Sequence, residues 1–355
     1  MQTQSTSISF KGQNIYAGID THLKNWKVSI YLDHSTYKTF SQEPCAKALL
    51  NYLQKRFPEG NYFSAHEAGF CGFSVHHELT RHGISNIVVN PADIPTTDKE
   101  RKQKEDKRDS RKIARSLRNG ELKGIYIPSK AGMEFKSLVR QRKTLVKDIN
   151  RNKNRVKSLL YLYGIKIPVE LWISSRHWSS RYTEWLRTVS FDSAYGKNTL
   201  DLLLNSTLFH RQQLLALNRE FRSLAKDPVG GKLIRLLMSI PGVGLVTALT
   251  ILAEIEDINR FRNLDQLCSF VGLVPSTGSS SDHEVSKGIT PRSNRPLRNV
   301  IIEAAWIAIR NDQTLALKYN ELRKRMDGNK AIVRIAKQLL NRIRYVLKSE
   351  KEYVG

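Results

Sequence analysis

Between Asn14 and Val89 the chain carries two hydrophobic periods in a set order, and few folds accept that order. Asn14–Asp20 (NIYAGID), Lys27–Leu32 (KVSIYL) and Tyr37–Ser41 are rich in branched and aromatic residues and read as three successive strands. Asp33-His34-Ser35 supplies the turn between the last two. Leu49, Leu50 and Leu53 then share one face of a helix that ends before Pro58. Tyr62–Glu67 reads as a strand, Phe73–His82 as a helix, and Ile84–Val89 as a strand closed by Asn90-Pro91. Three strands followed by alternating helices and strands predict a mixed α/β sheet with helices on its faces.

The pattern changes after residue 100. Residues 101–160 hold 20 Lys and Arg against 6 Asp and Glu. The second half of this stretch predicts one long helix, because Leu138, Leu145, Ile149, Val156, Leu159 and Tyr163 recur at intervals near four and three, with Arg142 and Asn152 on the same seam. A coiled-coil arm and an amphipathic helix packed on its own domain both fit. Trp172, Trp178 and Trp185 are expected inside helices. Leu233–Ile240 and Leu245–Ile255, joined by PGVG, predict a helix–hairpin–helix. Its Gly242 and Gly244 either offer backbone N–H groups to a phosphate or serve as an ordinary helix end. Beyond Ser286 the chain reads as mostly helical and basic. The domains expected are thus 1–128, mixed α/β; 129–228, a helical arm; and 229–355, mostly all-α.

Charge narrows the partner. The 355 residues carry 58 Lys and Arg against 33 Asp and Glu, a net of +25, which favours a polyanion whose condensed counterions are released on binding. Cys45, Cys71 and Cys268 are too far apart for a paired zinc motif. Neither a signal peptide nor an apolar run long enough for a membrane span is present. Action on nucleic acid in the cytoplasm, at the nucleoid, is the expectation.

Four carboxylates are candidates for chemistry. Asp20 ends the first strand in GIDTH, Glu67 ends a later strand in SAHEAG, and Asp106 and Asp109 lie three apart in KEDKRDSRKIAR, on one face if helical. Hard oxygen donors that cluster need cations, and suit Mg²⁺ or Mn²⁺. Taken singly, each also reads as a strand cap or a surface ion-pair partner. The second candidate is the run from Val271 to Trp306. Gly278–Asp282 predicts a flexible polar loop with Ser279, Ser280 and Ser281, followed by Arg292, Arg295 and Arg298, which suit phosphate. A serine among arginines can attack a phosphodiester; a serine-rich surface loop is the other reading.

GIDTHLKNWKVSIY, SAHEAG and VNPADIPTTDKERKQKEDKRDSRKIAR resemble the ribonuclease H-like, RuvC-like N-terminal domain of the DEDD insertion-sequence transposases, a group that includes the pilin-gene invertase. IPGVGLVTALTILAEI, RFRNLDQLCSFVGLVP and NRPLRNVIIEAAW resemble the C-terminal domain of the same group. The resemblance covers about two-thirds of the chain and implies a metal tetrad of Asp20, Glu67, Asp106 and Asp109. It also implies a nucleophile at Ser280, with Ser279 and Ser281 as alternatives. The chain departs from the family pattern at Ala68-Gly69-Phe70, where Ala-Thr-Gly is usual, and at Ser110, where Ala is common. Ser281, Pro291 and Ser293 replace a Gly, a Lys and a Gly. The resemblance implies a DNA transposase or site-specific invertase, a homodimer or homotetramer, and for some members a structured guide RNA. A hydrolytic RuvC-like nuclease such as a junction resolvase, and a non-enzymatic nucleic-acid-binding protein, remain as rivals.

Overall fold

The computed structural model describes residues 9–95, 106–171, 178–280, 283–290 and 292–354. They divide into two compact units, one up to Ile127 and one from Pro128. The first unit is built on five strands: β1 (Asn14–Thr21), β2 (Trp26–Leu32), β3 (Thr36–Gln42), β4 (Asn61–Glu67) and β5 (Ser85–Val89). Their order is β3-β2-β1-β4-β5, with β1–β2 and β2–β3 antiparallel and β1–β4 and β4–β5 parallel.

Alternation along the strands gives the sheet two different faces. Ile15, Ala17 and Ile19 of β1 and Trp26, Val28 and Ile30 of β2 pack on one face. There they meet Leu49 and Leu53 of α1 (Ala46–Arg56) and Val75 and Leu79 of α2 (Ser74–Arg81). The opposite face carries small residues: Gly18 on β1, Ser29 opposite it on β2, and Ala65 beside it on β4. This is where α3 (Asp106–Arg118) lies. Ile113 packs with Ala65, Val89 and Ile94. A Cβ on Gly18 would collide with the backbone of Ser110 and Ala114. Ser110 is fully buried, and its hydroxyl is 2.9 Å from the equally buried Ser29 hydroxyl. The hydroxyl that departs from the family pattern therefore has a partner on β2, which a buried polar group requires.

The second unit is helical apart from one hairpin. Its helices are α4 (Lys130–Leu162), α5 (Ser180–Thr188), α6 (Ala194–Lys226), α7 (Lys232–Met238), α8 (Leu245–Ile255), α9 (Leu264–Val271), α10 (Arg295–Asn311), α11 (Gln313–Arg323) and α12 (Gly328–Ser349). The 33-residue α4 and α6, each about 50 Å long at 1.5 Å per residue, pair antiparallel. The predicted polar seam faces this partner: Arg142 Nε donates to Asn218 Oδ1 (3.0 Å), and Asn152 Nδ2 to the Ser206 hydroxyl (2.9 Å). Val156 and Leu160 pack with Leu200 and Leu204 toward one end, and Val139 and Leu145 with Leu217 and Phe221 toward the other. Trp185 lies in α5, but Trp178 sits in a turn at φ 65° rather than in a helix, and Trp172 lies outside the described residues. An aromatic residue signals burial and does not by itself signal helix.

The most buried element is α8, with seven of its eleven residues inside. One of them is charged. The Glu254 side chain is 1% exposed and takes a two-pronged contact from Arg140 of α4, Nε to Oε1 at 2.7 Å and Nη2 to Oε2 at 2.9 Å. The Lys136 ammonium is 3.7 Å from Oε2. Burial raises the Glu254 pKa, but the hydrogen bonds from Arg140 and Asn294 and the nearby positive charges outweigh it and hold the carboxyl below its usual 4.5. Among the described residues, no helix is long and apolar enough to cross a membrane.

Two outcomes follow from these contacts. Gly18→Val should destabilise the first unit by about 1–3 kcal/mol or displace α3, since backbone cannot yield as a side-chain tip would; thermal melting and hydrogen exchange in α3 check this. For Glu254 the folded-state pKa lies below the unfolded one, so its stabilisation is complete above pH 4.5 and is lost as pH falls through the folded value. Glu254→Gln should therefore destabilise the second unit by about 2 kcal/mol at neutral pH. That is less than for a fully enclosed pair, because Arg140 is half exposed. In denaturant titrations the difference should shrink progressively below pH 4.5.

Candidate functional site: an acidic sheet edge and a serine hairpin

Parallel pairing of β1 with β4 sends both strands toward the same sheet edge, with Ile19 opposite His66 as the last recorded pair. Asp20 and Glu67 are the next residues on each strand. Asp20 follows Gly18 by two and Glu67 follows Ala65 by two, so both carboxylates belong to the face that α3 covers. The direction of α3 completes the geometry. Ser110 meets Ser29, which pairs with Gly18, while Arg118 further along lies over the Tyr31 ring (5.3 Å), and Tyr31 pairs with Tyr16. The helix thus runs back along β1, and its first turn, with Asp106 and Asp109, stands at the edge where Asp20 and Glu67 end their strands.

The described side chains at this edge are already engaged. Asp20 Oδ2 is 3.1 Å from His22 Nε2, and Lys112 Nζ is 3.2 Å from Asp109 Oδ1. Asp106 begins α3, but its side chain lies outside what is described. Among the described residues, no group of three or more His, Cys, Asp or Glu is close enough to hold a metal ion. Carboxylates that end two neighbouring parallel strands are nevertheless hard oxygen donors of the kind a divalent cation takes. Behind this edge, on the opposite face, His66 is fully buried beside Asn86 and Ser64. Burial, with His76 nearby, lowers its pKa to about 4, so it is neutral at physiological pH. Leu23 and Phe70, 80% and 64% exposed, flank the edge and line an open cleft with His22, Lys24 and Asn25. Sequence periodicity gives no sign of this apolar rim, because it lies on loops.

In the second unit, the predicted serine loop is a hairpin. β6 (Pro275–Ser280) pairs antiparallel with β7 (His283–Ile289), from Pro275↔Ile289 at the base to Ser280↔His283. Composition hides this, because serine and glycine favour turns while the ladder is made by backbone groups. Ser279 and Ser280 end β6, with side chains outside what is described; Ser281 and Pro291 also lie outside it. The hairpin base is well tied: Thr290 N–H donates to Val274 O (3.1 Å) and Arg298 Nη1 to Thr290 O (3.0 Å). Arg298 therefore serves the hairpin base, whereas Arg292 and Arg295 are exposed. Gly272, at φ 86°, leaves no room for a Cβ against Ser293.

The two glycines of the α7–α8 turn differ in role. Gly242 has φ 90°, and a Cβ there would strike Ala304 O and Ala308 of α10, so packing accounts for it. Gly244 is exposed at the N-cap of α8 with open space about it. Sequence reasoning missed Asn294, whose side-chain amide donates to Glu254 Oε2 at 2.8 Å while its Oδ1 caps α10 by accepting from Leu297 N–H at 3.1 Å. Its signal was present as the N-cap of NRPLR, with proline in the first helical turn.

Comparison with known proteins covers both units. A model of IS110-type DEDD transposases, described as "Transposase", matches residues 17–165, and one described as "Transposase IS116/IS110/IS902 family" matches residues 234–320. The chain is 29% identical over 249 residues to putative transposase y4qE of Sinorhizobium fredii, an alignment covering 69% of this chain and 58% of that relative. It is 22% identical over 306 residues to the transposase for insertion sequence element IS1533 of Leptospira borgpetersenii, covering 83% and 85% of the two chains. To the transposase for IS1111A of Coxiella burnetii it is 27% identical over 234 residues, covering 64% and 61%. Residues 17–165 and 234–320 are thus each similar to a part of the IS110-type transposases, and the relatives named here are themselves transposases, putative or of insertion sequences.

Proposed function

We propose that this chain transposes DNA through a ribonuclease H-like acidic centre, formed by Asp20, Glu67, Asp106 and Asp109, and a serine nucleophile at Ser280. The observation that carries the reading is the convergence of two strand-end carboxylates and the first turn of α3 on one sheet edge. A Mg²⁺ or Mn²⁺ ion held there supplies Lewis-acid stabilisation for charge that develops on a phosphoryl group. The carboxylates would hold and orient it, and the first turn of α3 sets where Asp106 and Asp109 stand.

The serine step conserves phosphodiester bonds. Ser280 Oγ bonds to phosphorus as one ester bond to deoxyribose breaks, its proton passes to a base, and the departing sugar oxygen is protonated. A hydroxyl from a second strand reverses the step, so rejoining needs no external energy source. A serine hydroxyl is a weak nucleophile at neutral pH and needs such activation. Exposed Arg292 and Arg295, next to the hairpin, suit the phosphate flanks.

Covalent capture tests the chemistry. Wild-type protein is incubated with labelled duplex from the DNA flanking its gene, together with RNA transcribed from that flank, and run on denaturing gels. Wild type should leave a protein–DNA adduct, and Ser280→Ala should leave none. Loss on changing Ser279 or Ser281 instead moves the nucleophile by one residue; cleavage without an adduct from any of the three favours a hydrolytic nuclease. Asp20→Asn should abolish cleavage while leaving the melting temperature and most DNA affinity in place. Affinity itself should fall by orders of magnitude between low and physiological salt, as expected when a chain of net charge +25 releases many counterions; a nearly flat salt dependence would count against a phosphate-driven grip.

A further inference from the structure

We infer that Glu254 is a positioning residue for the serine step: through Asn294 it fixes the base of the β6–β7 hairpin to α4 and so holds Ser280 in place. The inference rests on the serine reading above and goes beyond it by naming what aims the nucleophile.

Asn294 uses its hydrogen-bonding groups at one junction. Its backbone N–H donates to Phe270 O at the end of α9 (3.0 Å), its Oδ1 caps α10, and its Nδ2 reaches Glu254 Oε2 (2.8 Å). Four residues earlier, Thr290 closes the hairpin through Val274 O and Arg298. On the far side of Glu254, Arg140 grips both carboxylate oxygens from α4. Arg260, whose guanidinium lies 4.5 Å from the Phe261 and Phe270 ring centres, donates to the Glu254 backbone carbonyl (3.3 Å). One carboxylate therefore links α4, α8, the start of α10 and the hairpin base.

Packing alone does not call for this arrangement. A carboxylate with 1% exposure loses its hydration, and an apolar residue of the same volume is often as stable in such a place or more so. What a buried charge adds is a single allowed arrangement of its partners. Glutamine at this position cannot replace it, because Arg140 donates to both oxygens and Asn294 to one, so either orientation of the amide sets a donor against a donor.

The donor and acceptor can be exchanged, and that provides the test. Glu254→Gln removes the acceptor. Asn294→Asp keeps the helix cap, since Asp caps as well as Asn, but sets two carboxylates against each other. The double variant restores one donor and one acceptor between 254 and 294 in reversed order and returns a negative charge to the junction, while one of the two Arg140 contacts remains lost. Full-length proteins are compared with the duplex and RNA used above, measuring single-turnover adduct formation, duplex affinity and melting temperature. Each single variant should slow adduct formation by about 10- to 100-fold with duplex affinity unchanged, as misplacement of a reacting group by about 1 Å does. The double variant should react faster than either single variant, a coupling that loss of stability alone would not produce. If Glu254→Gln does not fold, Asn294→Asp carries the test. Wild-type adduct with a folded Asn294→Asp protein reacting at the wild-type rate overturns the positioning role alone, as does a double variant no faster than the slower single. No adduct from wild type overturns the serine reading itself.

Discussion

A helix can lie flat across the middle of β1 only where the strand presents almost no side chain, and the N-terminal unit meets that condition at Gly18, with Ser29 and Ala65 as its neighbours. Close approach of backbone to backbone brings Ser110 into hydrogen-bonding range of Ser29 and seats Ile113 against Ala65 and Val89. That contact sets the height and direction of α3, and hence where Asp106 and Asp109 stand relative to the strand ends. A bulkier β1 would lift the helix off the sheet and move half of the acidic set with it.

The strands of this unit were legible because their apolar residues alternate at period two, and the α3 carboxylates because they fall three apart. Other features were not legible. Alternation places Asp20 and Glu67 on some face of some strand, but only the parallel β1–β4 pairing puts them at one edge, and pairing partners leave no trace in a single strand's pattern. The serine segment reads as loop because its side chains favour turns, whereas the hairpin is made by backbone groups common to all residues. In the helical unit the seam of α4 was visible, including its polar members. Its partner was not, and α6 of the same chain supplies both Asn218 and Ser206.

The two units use buried polar groups differently. Around Gly18 the polar contact is between neutral hydroxyls, Ser110 with Ser29 and Ser29 with Thr39. Around Glu254 it is a charge with several donors, where losing any one partner leaves the others mismatched. The first kind of contact brings surfaces together; the second restricts them to one arrangement. It is the second kind that stands next to the hairpin bearing Ser279 and Ser280.

Asp20 and Glu67 sit on parallel neighbours that are joined only through β2, β3 and α1. Their alignment at one edge is therefore set by the strand pairing and is indifferent to the length of the β2–β3, β3–α1 and α1–β4 connections. A single residue inserted within β1 or β4 has the opposite effect, turning its carboxylate to the other side of the sheet. Sequence length in this unit should thus be free to drift in the turns and be held fixed within the two central strands.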